Sequence, residues 1–297
     1  MNNKADRADD ASGATSAPYA LIEVQPITGS FGAEITGADL SQPVSAELHH
    51  EINQALLNHG VIFFRNQDIT PDQHIAFGRL FGELDIHPFI PHLEGYPEII
   101  ALGGTPGPGK YARNANVWHT DLTYSQNPPL ASILRGLEIP ESGGDTLFAD
   151  LCAAYDGLSA KMKTMLDDVV AVHSITQTKT LAELSSVDEL KALQWSMDKV
   201  PPAEHPVVCT HPESGRKILY VNQNFTAYLK DMHEHESTAL LDMLNSHINL
   251  PEYQCRFRWR PNSIAMWDNR RTQHYAVGDY TEMRRMHRVT VCGPQPR

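Results

Sequence analysis

The sequence predicts a β-rich α+β domain: an antiparallel β-barrel or jelly roll with helices packed outside it and a helical insertion. Three observations carry this. Short apolar segments bounded by Gly, Pro, Asn and Asp gather toward the two ends of the chain. Residues 150–200 between them read as mostly helical. No repeat period is present, and strands bracket the helical stretch rather than alternating with helices, which disfavours a βαβ fold.

Residues 20–37 (ALIEVQPITGSFGAEITG) alternate apolar and polar side chains between Gly and Pro breaks and predict two short strands. Leu48, Ile52, Leu56 and Leu57 stand at helical spacing within 46–59, and His59-Gly60 supplies a stop. VIFFRNQ (61–67) predicts a compact strand, and Pro71-Asp72 opens a helix through Phe81. Residues 85–115 are rich in Pro and Gly and predict a long loop of the kind that covers sites. Strands are expected around 116–121 and 131–138, and the polar segment 177–195 within the helical stretch is expected to be a mobile flap. HPVVCTHPESGRKILYVN (205–222) reads as strand, turn at Ser214-Gly215, strand. A helix over 234–247 precedes three β-like runs: YQCRFRW, SIAMWDN and MHRVTVC.

A chain of 297 residues with 41% hydrophobic content can bury a large core, and residues 19–297 are expected to form one domain behind a disordered tail, 1–18, rich in Ala, Ser, Asp and Asn. No run of 18 apolar residues exists to span a membrane, and the N-terminus lacks the apolar core of a secretory signal, so a cytoplasmic protein is expected. The formal net charge of −12 argues against nucleic acid as a partner while leaving room for a small anionic substrate held by a few buried Arg. Cys152, Cys209, Cys255 and Cys292 lie too far apart for a C-x-x-C pair and read as buried or half-buried thiols.

Trp118-His119-Thr120-Asp121 carries the sharpest local signal. In an extended segment His119 and Asp121 face the same way, supplying two of the three ligands of a two-His, one-carboxylate metal site. A hydrogen-bonded core pair would look the same in sequence. His274 offers a third ligand from a different strand, and Arg284 follows it by ten residues with Arg288 four further on, on the same side. Two inward guanidiniums beside a metal imply two anionic clients, whereas outward ones would simply reach water.

With these residues in place, the sequence resembles the taurine dioxygenase/TfdA family of Fe(II)/2-oxoglutarate-dependent dioxygenases. The matching strings are FGELDIHP (81–88), WHTDLTY (118–124), GGDT (143–146), HPVV-THP (205–212), LYVN (219–222), WDNR-TQHYA (267–276) and RRMHR (284–288), in one colinear order. The resemblance implies a double-stranded β-helix (jelly-roll) core and an oxidoreductase with Fe(II), 2-oxoglutarate and O2 as cofactor and cosubstrates. It implies His119, Asp121 and His274 as metal ligands, Thr146 and Arg284 on 2-oxoglutarate, and His87, Arg288 and Phe225 on the primary substrate. The interval from His274 leaves Arg284 and Arg285 both open; strand alternation favours Arg284 because it then shares a side with Arg288.

The implied reaction yields succinate and CO2 and hydroxylates a small organic anion beside its heteroatom, with fragmentation of the product where the leaving group allows. A sulfonate, alkyl sulfate ester or aryloxyalkanoate is expected, because the resemblance places Ile90 where the taurine pocket has an aromatic residue and Ala115 where it has an amine-binding Asn, and Asn116, shifted by one along a strand, would face away. Taurine itself and a metal-dependent hydrolase on the same fold are the alternatives, and a non-catalytic anion sensor is a third class. Homo-oligomerisation and a role in sulfur metabolism are inherited from the resemblance. His233 and His235 read as a solvated face, His205 and His211 as structural or surface histidines, and Trp118 and Trp267 as wall packing; Tyr124 has no assigned role.

Overall fold

A computed structural model of the chain describes residues 19–29, 31–87, 90–104, 116–178 and 200–297. The expected tail, 1–18, position Ala115 and all but the first two residues of segment 177–195 lie outside these, and so do residues 105–114 of the expected loop.

The N-terminal elements follow the sequence. Strands β1 (Glu23–Pro26) and β2 (Ala33–Thr36) pair antiparallel, followed by helix α1 (Ala46–His59). Ser45 caps α1 by accepting from the Leu48 N–H, and Gly60, at φ +72°, ends it by donating to Leu56 O. Strand β3 (Val61–Phe64) leads to α2 (Pro71–Arg79), which opens on a reciprocal Thr70/Gln73 capping box. All four residues of β3 are buried because both faces of the sheet are covered: Ile62 and Phe64 pack toward α1 and α2, Val61 and Phe63 toward a second sheet. That explains the unbroken apolar run VIFF.

The main sheet has eight strands in the order β1-β2-β3-β14-β6-β16-β5-β4, with β4 His92–Leu93, β5 Tyr96–Gly104, β6 Ala131–Glu138, β14 Ile264–Asp268 and β16 Arg284–Val291. A second sheet, β13-β7-β15 (Gln254–Phe257, Thr146–Asp150, Thr272–Ala276), faces it. Phe63, Ala265, Trp267, Leu134 and Met286 from the first meet Phe148, Cys255 and Phe257 from the second; Phe63 and Phe257 stack with centroids 4.0 Å apart. A three-stranded sheet, β12-β8-β9 (Thr226–Leu229, Val170–His173, Ala203–Pro206), and the hairpin β10 (Val208–Thr210) and β11 (Lys217–Leu219) complete the β-structure. Helices α3 (Leu151–Asp156), α4 (Ala160–Leu166) and α5 (Glu234–Ile248) join these in a separate apolar cluster.

Four expectations need correction. The region read as a long loop contains β4 and β5; Pro97 masked the strand, and it precedes the first β5 residue paired with β16, where its missing N–H breaks no bond of that ladder. Residues 116–121 are not a strand but join the second sheet through one isolated bridge, His119 to His274. The helical stretch includes strand β8. Strands β7 and β12 were not separately anticipated, because each is short and flanked by polar or Gly-rich sequence, while β15 is the strand expected to carry His274. The remaining elements fall where expected, with β3 and α2 ending earlier than read. Among the described residues no helix is long and apolar enough to cross a membrane.

The two sheets and α1 meet at Arg271, 1% exposed, which donates to Asp150 Oδ2 at 2.6 Å and to Leu57 O at 3.1 Å. Asp150 also caps α3 through the Cys152 N–H. Arg271→Ala strands a buried carboxylate, and a destabilisation of about 3–5 kcal/mol is expected. Chemical denaturation of both proteins measures it, and a loss below about 1 kcal/mol, the range of an exposed pair, would contradict the structural role given to this ion pair.

Candidate functional site

His119, Asp121 and His274 converge although they come from distant parts of the chain. Each offers one ligand atom, and these atoms lie within 4.8 Å of one another. His119 Nε2 is 3.9 Å and His274 Nε2 4.0 Å from Asp121 Oδ1, and the two imidazole centroids are 4.1 Å apart. The cause is local: the His119 N–H donates to His274 O (3.1 Å) and the His274 N–H to His119 O (2.8 Å), seating the 116–121 segment beside β15. Asn269 fixes the next residues, since its Oδ1 accepts the Asp121 N–H and its Nδ2 donates to Asp121 O, both at 3.0 Å.

The donor atoms are prepared for a cation. His119 Nδ1 sits 2.8 Å from Val117 O and donates to it, which leaves the Nε2 lone pair turned toward Asp121. Ser132 Oγ donates to Asp121 Oδ2 at 2.8 Å, and Arg288 Nη1 to Oδ1 at 2.9 Å. Burial alone would raise the Asp121 pKa, but Arg288, both imidazoles and the Ser132 hydroxyl outweigh it and hold the carboxylate ionised well below its ordinary range. Burial, and then the neighbouring His119, pushes His274 down to about 3, and burial lowers His119 as well, so both rings are neutral and able to ligate. Two neutral imidazoles and one carboxylate on a buried wall fit an Fe(II) ion with open positions.

Beside this trio lies a cavity of about 720 Å³, and the eight residues assigned to metal, cosubstrate or substrate line it: His87, His119, Asp121, Thr146, Phe225, His274, Arg284 and Arg288. Arg284 is 8% exposed, its Nε has no hydrogen-bond partner among the described residues, and burial lowers its pKa. Gly144, at φ +69°, makes room for it: a Cβ there would stand 3.3 Å from Arg284 Cδ and Nε. Thr146 begins β7, and its Oγ1 accepts from Trp259 Nε1 at 2.9 Å. Arg285 instead faces outward, exposed, with Nη2 2.6 Å from Glu138 Oε1, so the alternation of β16 settles which of the two enters the cavity.

His87 is buried and its Nδ1 accepts the Ile90 N–H at 3.1 Å, which puts the ring proton on Nε2 as a donor. Phe225 stands edge-on to Tyr124, centroids 5.0 Å apart, and to His119 at 6.3 Å. Asn116 lines the cavity rather than facing away; the expectation failed because it assumed a continuous strand where the structure has none. Tyr124 lines it too, its hydroxyl pushed up to about 12 by burial and by Asp121. Trp118 packs behind the site beside Tyr275, while Trp267 packs between the sheets and also borders the cavity.

His205 and His211 are structural: both are buried, the first against the carbonyls of Thr123 and Ser125, the second 2.8 Å from Asp268 Oδ2. His233 and His235 are exposed. The sequence reading missed Ser132, Asn269, Trp259 and Tyr280. Asn269 and Trp259 act on partners 148 and 113 residues away, Ser132 on Asp121 across 11, and Tyr280 lies 5.8 Å from the Arg284 guanidinium four residues on; no motif marks such contacts.

A family model described as "Taurine catabolism dioxygenase TauD, TfdA family" matches residues 23–290. The chain is 38% identical over 287 residues to an alpha-ketoglutarate-dependent sulfate ester dioxygenase of Pseudomonas putida, covering 94% of this chain and 93% of that protein. It is 37% identical over 282 residues to an alkylsulfatase of Acinetobacter baylyi, covering 93% and 86%. Among solved structures it matches a taurine dioxygenase from Burkholderia xenovorans (TM-score 0.80, 37% identity, 93% and 91% covered). It also matches AAD-2 in complex with Mn(II) and N-oxalylglycine (TM-score 0.78, 28% identity, 93% and 98% covered).

Ser132 holds Asp121 through its Oδ2 and is not one of the three candidate ligands. Ser132→Ala is expected to weaken Mn(II) binding by about 10- to 100-fold. Titration of free Mn(II) by electron paramagnetic resonance measures this, and an unchanged dissociation constant would show that the hydroxyl does not tune the site.

Proposed function

The chain belongs to the TauD, TfdA family of dioxygenases, and from that premise we propose that it hydroxylates a small sulfate ester or sulfonate beside its heteroatom. An aryloxyalkanoate is the further member of the same anion class, in keeping with the 31% identity to an alpha-ketoglutarate-dependent 2,4-dichlorophenoxyacetate dioxygenase of Cupriavidus pinatubonensis. The observation that carries the reading is one cavity holding a two-His, one-carboxylate trio together with two separate buried guanidiniums, Arg284 and Arg288. A binding pocket for one anion would need one.

His119, Asp121 and His274 would hold Fe(II). Arg284 and the Thr146 hydroxyl would receive the far carboxylate of 2-oxoglutarate in the Gly143-Gly144 cradle, where a charge-assisted hydrogen bond contributes roughly 1.5–3 kcal/mol. Arg288 and His87 Nε2 would take the anionic head of the primary substrate. With Fe(II) and 2-oxoglutarate bound, O2 supplies one oxygen atom to succinate, with loss of CO2, and the other to a substrate C–H bond. Phe225, Tyr124 and the apolar side chains of Ile90, Leu122, Ile175 and Val277 would pack the substrate's tail and keep water out, which supports an apolar tail over taurine's ammonium. For an alkyl sulfate, the hydroxylated carbon then carries both OH and O–sulfate. Its C–O bond to sulfate breaks as the hydroxyl proton leaves, giving an aldehyde and inorganic sulfate.

We read the two facing sheets as the double-stranded β-helix of this family, a reading supported by the TM-scores and by the apolar layer between them. The same reading takes residues 19–297 as one domain, in keeping with the match over 23–290. Three buried thiols and no disulfide among the described residues suit a reducing, cytoplasmic compartment. A homo-oligomeric state rests on the family resemblance.

Succinate yield across taurine, alkyl sulfonates, alkyl sulfates and aryloxyalkanoates tests the substrate class. Alkyl sulfates and sulfonates are expected to give the highest yields; a preference for taurine would overturn the apolar-tail argument. His119→Ala is expected to abolish substrate-coupled succinate formation. Arg284→Ala should raise the 2-oxoglutarate requirement by roughly 10- to 100-fold, the equivalent of the lost charge-assisted bonds, while Arg288→Ala should chiefly raise KM for the primary substrate. Equal effects of the two Arg variants on both would contradict the division of roles.

A further inference from the structure

Thr123 stands two residues beyond Asp121, past Leu122, whose φ of +54° marks a sharp turn. Its side chain, 1% exposed, meets two partners: Asn222 Nδ2 at 3.0 Å and His173 Nδ1 at 3.0 Å. Its carbonyl accepts from His205 Nε2 at 2.9 Å. His173 ends β8, His205 lies in β9, and Asn222 leads into β12, so all three belong to one small sheet and its lead-in, which supplies none of the metal ligands.

That sheet carries the substrate-side wall of the cavity. Asn222 Oδ1 accepts the N–H groups of Asn224 (3.1 Å) and Phe225 (2.9 Å), and Phe225 O accepts the Ser174 N–H at 2.8 Å, next to Ile175. Asn224, Phe225 and Ile175 all border the cavity, facing the segment that bears His119 and Asp121. Burial pushes His173 down to about 3, so its ring is neutral and one of its two nitrogens carries the proton. A hydroxyl serves both neighbours: it accepts from Asn222 Nδ2 and can donate to or accept from His173 Nδ1, whichever the tautomer requires, with Thr226 Oγ1 farther from that nitrogen at 3.3 Å. A methyl group in its place could neither accept nor donate.

We propose that Thr123 is a positioning residue that registers the Asn224–Phe225–Ile175 wall against the metal-ligand segment, and so fixes which substrate C–H is presented for hydroxylation. The proposal rests on the dioxygenase reading for its chemistry, while its geometric content stands independently. Groups that hold a reacting centre depend on the rotamers of the shell behind them, and a displacement of roughly 1 Å can cost on the order of 100-fold in rate.

Two measurements on Thr123→Val and Thr123→Ser test it. Crystal structures of wild type and both variants with Mn(II) and 2-oxoglutarate report where the Phe225 ring sits relative to His119. With Fe(II), 2-oxoglutarate and hexyl sulfate, inorganic sulfate released per succinate formed reports how well oxidation is aimed. In Thr123→Val the Phe225 ring is expected to shift away from its wild-type place and sulfate per succinate to fall, with KM for 2-oxoglutarate unchanged. Thr123→Ser, which keeps the hydroxyl, should match wild type in both. Should the valine variant fail to fold, Thr123→Ala removes the hydroxyl without crowding His173 and gives the same readouts. A wild-type ring position in the hydroxyl-free variant, or an unchanged sulfate-to-succinate ratio, overturns the proposal. Failure of the wild-type enzyme to make succinate with hexyl sulfate counts against the substrate class alone, and the ring position still decides the role of Thr123.

Discussion

The site depends on one pair of backbone hydrogen bonds, those exchanged by His119 and His274. Two neutral imidazoles and an ionised carboxylate have no reason to gather on their own, since both rings and the carboxylate are desolvated in the process. The reciprocal N–H to O=C bonds impose the meeting, and Asn269 extends it by offering Asp121 a side-chain amide in place of a neighbouring strand. Each such bond adds only about 0.5–1.5 kcal/mol net. The opposed sheets make the arrangement rigid, because β15 is itself held against β7 along five residue pairs.

Electrostatics explain how an acidic protein attracts anions. The overall charge of −12 is carried largely at the surface, while the cavity holds Arg284 and Arg288, each 8% exposed. Their situations differ. Arg288 is paired with Asp121, whereas Arg284 has Tyr280 beside it, a glycine cradle and, among the described residues, no carboxylate within salt-bridge distance. A guanidinium buried without a carboxylate partner is costly until an anion arrives, which supports the proposed seating of a dicarboxylate at the Arg284 end. The Arg288 end, shared with a metal ligand, suits a head group whose arrival also changes what Asp121 feels.

Much of the site was legible because its residues sit in short motifs whose chemistry is local. His119-x-Asp121 and the Arg284/Arg288 spacing need only the direction of neighbouring side chains, and β16 does alternate as that spacing requires. The same reasoning misplaced Asn116, since it carried strand alternation into a segment that has a single bridge and then turns at Leu122. Strand β5 was hidden by Pro97 and by Gly103-Gly104, which are tolerated where β5 meets the edge of the sheet. Ser132, Asn269, Asn222 and Thr123 were invisible for another reason: their partners are set by the fold, and a polar residue within an apolar run announces burial without announcing what it touches.

We propose that these three side chains, drawn from two separated stretches of chain, form one cation site beside two anion seats. Anomalous diffraction from crystals soaked anaerobically with Mn(II) and 2-oxoglutarate tests it most directly. The account requires one manganese peak at ligation distance from the imidazoles of His119 and His274 and the carboxylate of Asp121, with the far carboxylate of 2-oxoglutarate against Arg284. A peak elsewhere, or a cosubstrate whose far end reaches Arg288 while Arg284 stays bare, would contradict it.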